Sequence, residues 1–282
     1  MADRPTIDQK ARTEASDAAP DGFDGVSTLA SEALARVAQR SGMARAVADL
    51  ELVQSLMAAT QSGGIESCLE WLEAASARGI EDQEIVDLVI PAAARTMGDR
   101  WCEDTMSFVA VTVGVAHLQS LLRHLDNRAA EPALDAPLVL VTIVDDVNHT
   151  LGAMVLVSRL RRHGVFVHAV LDGNRGALAR ALKSYDIDAV FVSTSATDDL
   201  ASIADSVNFL RKNGPANLPI VAGGTGTPKT QEIKALIGVD HICDDPEDAL
   251  YLCQLTVPTR GRGATRSSKR DRPILSPSGA GR

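Results

Sequence analysis

The sequence predicts an α/β protein in which an N-terminal helical bundle precedes a five-stranded parallel sheet covered by helices. Three observations carry that prediction. From Pro137 onward, short runs rich in Val, Ile and Leu alternate five times with amphipathic stretches. Before Asp126 the apolar positions recur at the helical period instead, with glycine punctuation at Gly42, Gly63-Gly64 and Gly79. Hydrophobic residues make up 45% of the 282, enough to fill a core in each part.

The elements follow in order. Met1 to Gly22 is charged and polar and is expected to be disordered, with no signal-peptide core. Helices are expected over Phe23–Gln39, Met43–Ser62, Ile65–Arg78, Asp82–Arg100 and Ser107–Leu125, giving a bundle of four or five across 23–126. A charged linker, Asp126 to Ala136, leads to the second part, 137–257. There the strands are Pro137–Val144, Val165–Leu171, Ala189–Ser195, Leu218–Ala222 and His241–Cys243. The helices between and after them are Ala153–Arg162, Arg175–Ser184, Asp199–Lys212, Lys229–Ile237 and Pro246–Leu255. Five strand–helix units of this kind make a flavodoxin-like (Rossmann-like) domain, in which the loops after strands one, three and four converge at one edge.

Those three loops hold the candidate site. His149-Thr150-Leu151-Gly152 follows the first strand, Ser193-Thr194-Ser195 the third, and Gly223-Gly224 the fourth. An imidazole at the carboxyl end of a strand stands where open α/β sheets bind ligands, which makes His149 the metal-ligand candidate. Gly152 lets a flat cofactor approach the backbone. The plain alternative is a cofactor-free domain in which Gly223-Gly224 is only a turn.

Taken together, the three loops resemble the cobalamin-binding domain shared by methionine synthase, methylmalonyl-CoA mutase and cobalamin-dependent regulators. The family pattern is Asp-x-His-x-x-Gly, then Ser-x-Leu, then Gly-Gly. Forty residues lie between Gly152 and Ser193 and 27 between Ser195 and Gly223, close to the family intervals. The resemblance implies that His149 binds cobalt from below, that Gly152 admits the corrin, that Ser193 bonds the detached nucleotide tail, and that Gly223 and Gly224 wall its channel. Two positions depart from the pattern. Val147 stands where the family has the aspartate that orients the ligand imidazole, leaving Asp145 or Asp146 to replace it, and a weaker His149–cobalt bond is expected. Ser195 stands where the family has leucine.

A second block lies in the bundle. Met97-Gly98-Asp99-Arg100-Trp101, with Ser107-Phe108 and Val111-Thr112-Val113-Gly114 after it, resembles the Leu-Gly-x-x-Trp block of cobalamin photoreceptors and corrinoid proteins. More closely it is similar to the cobalamin- and haem-associated sensor domain of the PpaA/AerR antirepressors of photosynthesis genes in purple bacteria. By that resemblance Trp101 caps the upper face of the corrin. Val111 and Thr112 stand where DNA-binding photoreceptors keep a glutamate and a cobalt-capturing histidine, so that switch does not carry over. His117 and His124 are read as surface or interhelical side chains.

Composition excludes several classes. Aromatic residues are only 3%, too few for the stacking platforms of nucleic-acid binders. Cys68, Cys102, Cys243 and Cys253 form no Cys-x-x-Cys pair, so neither a disulfide framework nor a zinc site is expected. No apolar run is expected to cross a membrane, and the cytoplasm is the expected compartment. Neither a dinucleotide-binding nor a phosphate-cradling glycine motif occurs, and the residues before Phe23 are too few for a DNA-reading module. From Pro258 to Arg282 seven Lys or Arg face one Asp, so this stretch, expected to be a disordered tail, is about +6 while the rest is about −15. An acidic body disfavours duplex DNA, leaving the tail as its sole route to phosphates.

The expectation is a cobalamin-binding sensor rather than an enzyme, taking the hydroxo or aquo form, with haem as the alternative group. By the resemblance, its partner is a PpsR/CrtJ-type repressor and its signal is light or oxygen. The runner-up is a corrinoid carrier subunit of a methyltransferase system.

Overall fold

In a computed structural model, the residues described are 50–128, 130–144, 150–195, 198–224 and 229–257. By internal contacts the chain divides into Met1–Leu52 and Val53–Arg282. The expected first helix, the polar N-terminus and the basic tail lie outside the described residues, as does His149.

Four helices come first. Helix α1 occupies 50–62, α2 Ile65–Ala77, α3 runs from Asp82 to Cys102, and α4 is Phe108–Asp126. Helix α3 is not uniform: a short α-helical start, Asp82–Glu84, passes into a π-helical turn, Ile85–Val89, before the α-helix Ile90–Cys102. A π turn has no compositional marker, which is why periodicity alone presented this stretch as one regular helix. Ser107 caps α4 by accepting the Ala110 N–H. Gly114 lets α4 close on α3 and α1, since a side chain there would collide with Met97 and Gln61.

The sheet follows as expected. Strands β1 Leu138–Ile143, β2 Phe166–Val170, β3 Ala189–Thr194, β4 Ile220–Gly224 and β5 His241–Ile242 are all parallel in the order 2-1-3-4-5. Between and after them run α5 Thr150–Arg162, α6 Arg175–Ser184, α7 Leu200–Asn213, α8 Gln231–Ile237 and α9 Pro246–Leu252. Side chains alternate across the strands, and each face has its own core. Leu140, Val190, Val192, Ile220 and Ala222 pack against α6, α7 and α8. Val139, Val141, Phe191 and Val221 pack against α5 and α9. Three differences from expectation bear on the site. Helix α5 begins at Thr150 rather than Ala153, so Thr150-Leu151-Gly152 form its first turn. Ser193-Thr194 and Gly223-Gly224 are the last residues of β3 and β4 rather than loop.

The amino edge of the sheet is pinned by carboxylates. Asp188 accepts the Leu138 N–H at 2.7 Å and Asp240 accepts that of Ile220 at 2.7 Å. Arg211 holds Asp240 at 2.6 Å and donates to the Leu218 carbonyl. Partial burial opposes ionisation of Asp240, but the Arg211 guanidinium and the Ile220 N–H outweigh it and hold the carboxyl below its usual range.

One expectation about membranes is corrected. Helix α4, 19 residues with a mean hydropathy of 1.2, is long and apolar enough by composition to span one. One side of it packs within the protein through Leu118, Leu121, Leu122 and Leu125.

Two outcomes are expected in denaturation measurements. Leu140→Ala, at a fully buried position on the central strand, should lower unfolding free energy by about 2–5 kcal/mol in urea titrations. The depressed Asp240 carboxyl contributes stability above its unfolded pKa of about 4 that is lost as pH falls through the lower folded value. Asp240→Asn should therefore lower Tm at pH 7 and flatten the loss of Tm on acidification below about pH 4.

Candidate functional site

The site is built from the carboxyl edge of the sheet. Ile143, Ser193 and Gly223 stand in register on three adjacent strands. By alternation they continue the face of Val141, Phe191 and Val221, the face covered by α5 and α9. Ser193 is half-buried and its hydroxyl forms no hydrogen bond among the described residues. Thr194 behaves differently: it is buried on the opposite face, and its hydroxyl donates to the Gly223 carbonyl at 3.1 Å. The backbone N–H of Ser195 is held by Asp198 at 2.7 Å. The structure therefore brings Ser193 and Gly223 together and leaves the Thr194 side chain out of the group.

The glycines differ in what they tolerate. A Cβ on Gly223 would overlap the Cys243 carbonyl oxygen, and one on Gly224 would overlap that of Thr194. Gly224 also adopts φ +133°, a conformation that side chains other than glycine's resist. Both glycines are required by neighbouring backbone, whatever lies beside them. Gly152 stands in open space: an added Cβ would meet nothing within 4 Å. Its bare backbone has no explanation in internal packing.

Two acidic residues after β5 tie this edge together. Asp244 accepts the Gly224 N–H at 3.1 Å and pairs with Lys229 at 2.6 Å, which raises the Lys229 pKa. Asp245 caps α9 and pairs with Arg159 of α5 at 2.9 Å. Burial raises the Cys243 thiol, and pushes Cys253 up to about 11, so neither is poised as a thiolate. Among the described residues no group of three or more His, Cys, Asp or Glu could hold a metal ion. The one ligand candidate, His149, lies outside them with Asp145, Asp146 and Val147.

The helical part reaches this edge through α4. Gln119 donates to the Thr150 hydroxyl at 2.9 Å, and Asp126 pairs with Arg161 at 2.8 Å. Thr150 begins α5 and Arg161 lies near its end, so α4 and α5 run in the same direction. The residues of α4 before Gln119 consequently extend past the carboxyl edge, by about 16 Å at 1.5 Å per residue. Phe108 and Thr112 lie on the same stripe of α4 as Gln119 and Asp126, at helical spacing. Trp101, 48% exposed, stacks its ring 5.9 Å from that of Phe108, which is 64% exposed. Val109 and Val113 are exposed beside them. Helix α4 is thus apolar on a covered side and on an open one, the mark of a helix that meets something further. His117 is an interhelical side chain, its Nδ1 2.8 Å from the Thr60 carbonyl, and His124 is exposed. Sequence reasoning did not single out Gln119, because its partner is 31 residues away and only the fold brings them together.

No family model matches the chain. Over 166 residues it is 28% identical to an uncharacterized 20.5 kDa protein in the bchF-crtJ intergenic region of Rhodobacter capsulatus, covering 58% of this chain and 86% of that one. Among solved structures it is similar to the monomethylamine corrinoid protein of Methanosarcina barkeri, with a TM-score of 0.54 and 14% identity over 72% of this chain and 94% of that one. The chain therefore has the fold of a corrinoid protein, helical part and parallel sheet alike, and a sequence relative encoded between bchF and crtJ.

Proposed function

We propose that the chain is a cobalamin-binding regulatory sensor that acts in the cytoplasm on a PpsR/CrtJ-type repressor of photosynthesis genes, without catalysing a reaction of its own. The observation that carries the reading is the carboxyl edge itself: Gly152 bare and open beside Ser193 and Gly223 in register. The corrinoid fold supports the choice of cofactor, and the position of the relative's gene beside crtJ supports the choice of partner.

The described residues suit such a group. Cobalamin, when bound, supplies a cobalt with one axial position for a protein ligand and one exchangeable position. His149 is the ligand in this reading, immediately before α5. Gly152 offers backbone without a side chain to the corrin plane, and the Ser193 hydroxyl is available to the tail. Trp101 and Phe108 close the upper side, excluding water and crowding a bulky upper group. Val111 and Thr112 provide no strong ligand there, so a small exchangeable group is favoured over adenosyl.

A corrinoid carrier subunit is the second reading, favoured by the fold shared with the Methanosarcina barkeri protein. The two differ in what they do with a bound methyl group: a carrier must surrender it to a methyltransferase.

Three measurements test the proposal. His149→Ala should abolish the visible spectrum of base-off, histidine-bound corrin, and a variant that keeps the wild-type spectrum and affinity removes His149 as ligand. Because Gly223 and Gly224 are required by neighbouring backbone, the informative glycine is Gly152. Gly152→Ala should stabilise the free protein by up to about 1 kcal/mol, as alanine does in a helix, while weakening hydroxocobalamin binding. Unaltered binding would show that nothing lies against Gly152. Finally, hydroxocobalamin should bind more tightly than adenosylcobalamin in the dark and should change repressor–DNA binding in a gel-shift assay, with haem as the parallel arm. Equal affinity for both corrins, with rapid demethylation of bound methylcobalamin by a methyltransferase, would favour the carrier.

A further inference from the structure

The helical part meets α5 in two places that differ in kind. Toward the end of α5, the bonds are ionic. Arg161 pairs with Asp126, whose side chain is mostly buried. Arg162 pairs with Asp87 of the π turn, and the Arg159 Nε stands 3.8 Å from the same carboxylate. At the start of α5 there is the neutral hydrogen bond from Gln119 to Thr150. Partly buried ion pairs resist separation more than a neutral hydrogen bond does. The junction is therefore firm at the amino side of the sheet and yielding at the carboxyl side.

We propose that Gln119 is a positioning residue that couples occupancy of the carboxyl edge to the angle of α4, with the ion pairs as its pivot. The inference rests on the cobalamin reading above. Thr150, Leu151 and Gly152 share the first turn of α5, so a ligand settling against Gly152 presses on the turn that Gln119 holds. Helix geometry then amplifies the shift. Along α4, Gln119 lies about 10 Å from Asp126 and Phe108 about 27 Å, at 1.5 Å per residue. If α4 turns as a rigid rod about Asp126, a displacement of 1 Å at Gln119 becomes roughly 2.6 Å at Phe108. The exposed apolar face of Trp101, Phe108, Val109 and Val113 lies on the long arm of this lever, where such a change is read out.

Amide hydrogen exchange on the full chain tests the coupling. Without added corrin, Gln119→Leu and Thr150→Val should each speed exchange in 108–118 by about fivefold, the factor that loss of one hydrogen bond of about 1 kcal/mol gives, and leave 121–126 unchanged. Gln119→Glu, which accepts a hydrogen bond from the Thr150 hydroxyl, should restore slow exchange. With hydroxocobalamin, Gln119→Leu should bind within about threefold of wild type, as expected when the residue does not touch the ligand. It should nevertheless show a smaller change of exchange in 108–118 on binding. Unchanged exchange in both single variants, or a uniform rise through 121–126, would overturn the coupling while leaving corrin binding intact. A wild type that fails to bind hydroxocobalamin would overturn the cobalamin reading and the coupling with it.

Discussion

The carboxyl edge of this protein depends on one steric constraint: at the end of β4, backbone lies against backbone with no room for a side chain. The Cys243 and Thr194 carbonyls occupy the places that Cβ atoms at Gly223 and Gly224 would take. That closeness lets the Thr194 hydroxyl reach the Gly223 carbonyl and the Asp244 carboxylate reach the Gly224 N–H. Three strands are thereby locked where the sheet ends. Ser193 and Gly223 are held as a fixed surface rather than as parts of independent loops, the kind of support a binding edge needs if its geometry is to survive without a ligand.

The opposite edge is secured by charge. Asp188 and Asp240 receive the first N–H groups of β1 and β4, and Arg211 completes the second of these. The division of labour suits the fold, since parallel sheets bind at the carboxyl side and can use strong polar anchors freely at the other. The helical part follows the same polarity, with its acidic residues Asp87 and Asp126 engaged by arginines from the last turns of α5 and its apolar, unpartnered surface at the carboxyl end.

The sheet could be read from the sequence almost to the residue, because strands buried on both faces are continuous apolar runs and helices between them are strongly amphipathic. Helix α6 begins and ends as expected, at Arg175 and Ser184. Errors arose where a residue type had two physical meanings. Gly223-Gly224 carries the composition of a turn, yet the pair is strand, and its glycines answer to neighbouring carbonyls that only the pairing reveals. Gly152 argued for a later helix start, but α5 takes it into the first turn. The motif positions Ser193 and Thr194 are adjacent in sequence and belong to opposite faces. Contacts such as Gln119 to Thr150 depend on how helices pack and leave no local signal.

The π turn at Ile85–Val89 sets the phase of everything after it in α3. A turn of this kind holds one residue more than the α-helical turn it replaces. Each residue of an α-helix advances by about 100° around its axis. Shortening the segment by one residue would therefore rotate Ile90–Cys102 by about that angle relative to Asp82–Glu84, taking Met97 out of the core and turning Trp101 away from Phe108. Lineages that carried the insertion and lineages that lacked it would present different faces of the same helix, with no change in the identity of a single side chain.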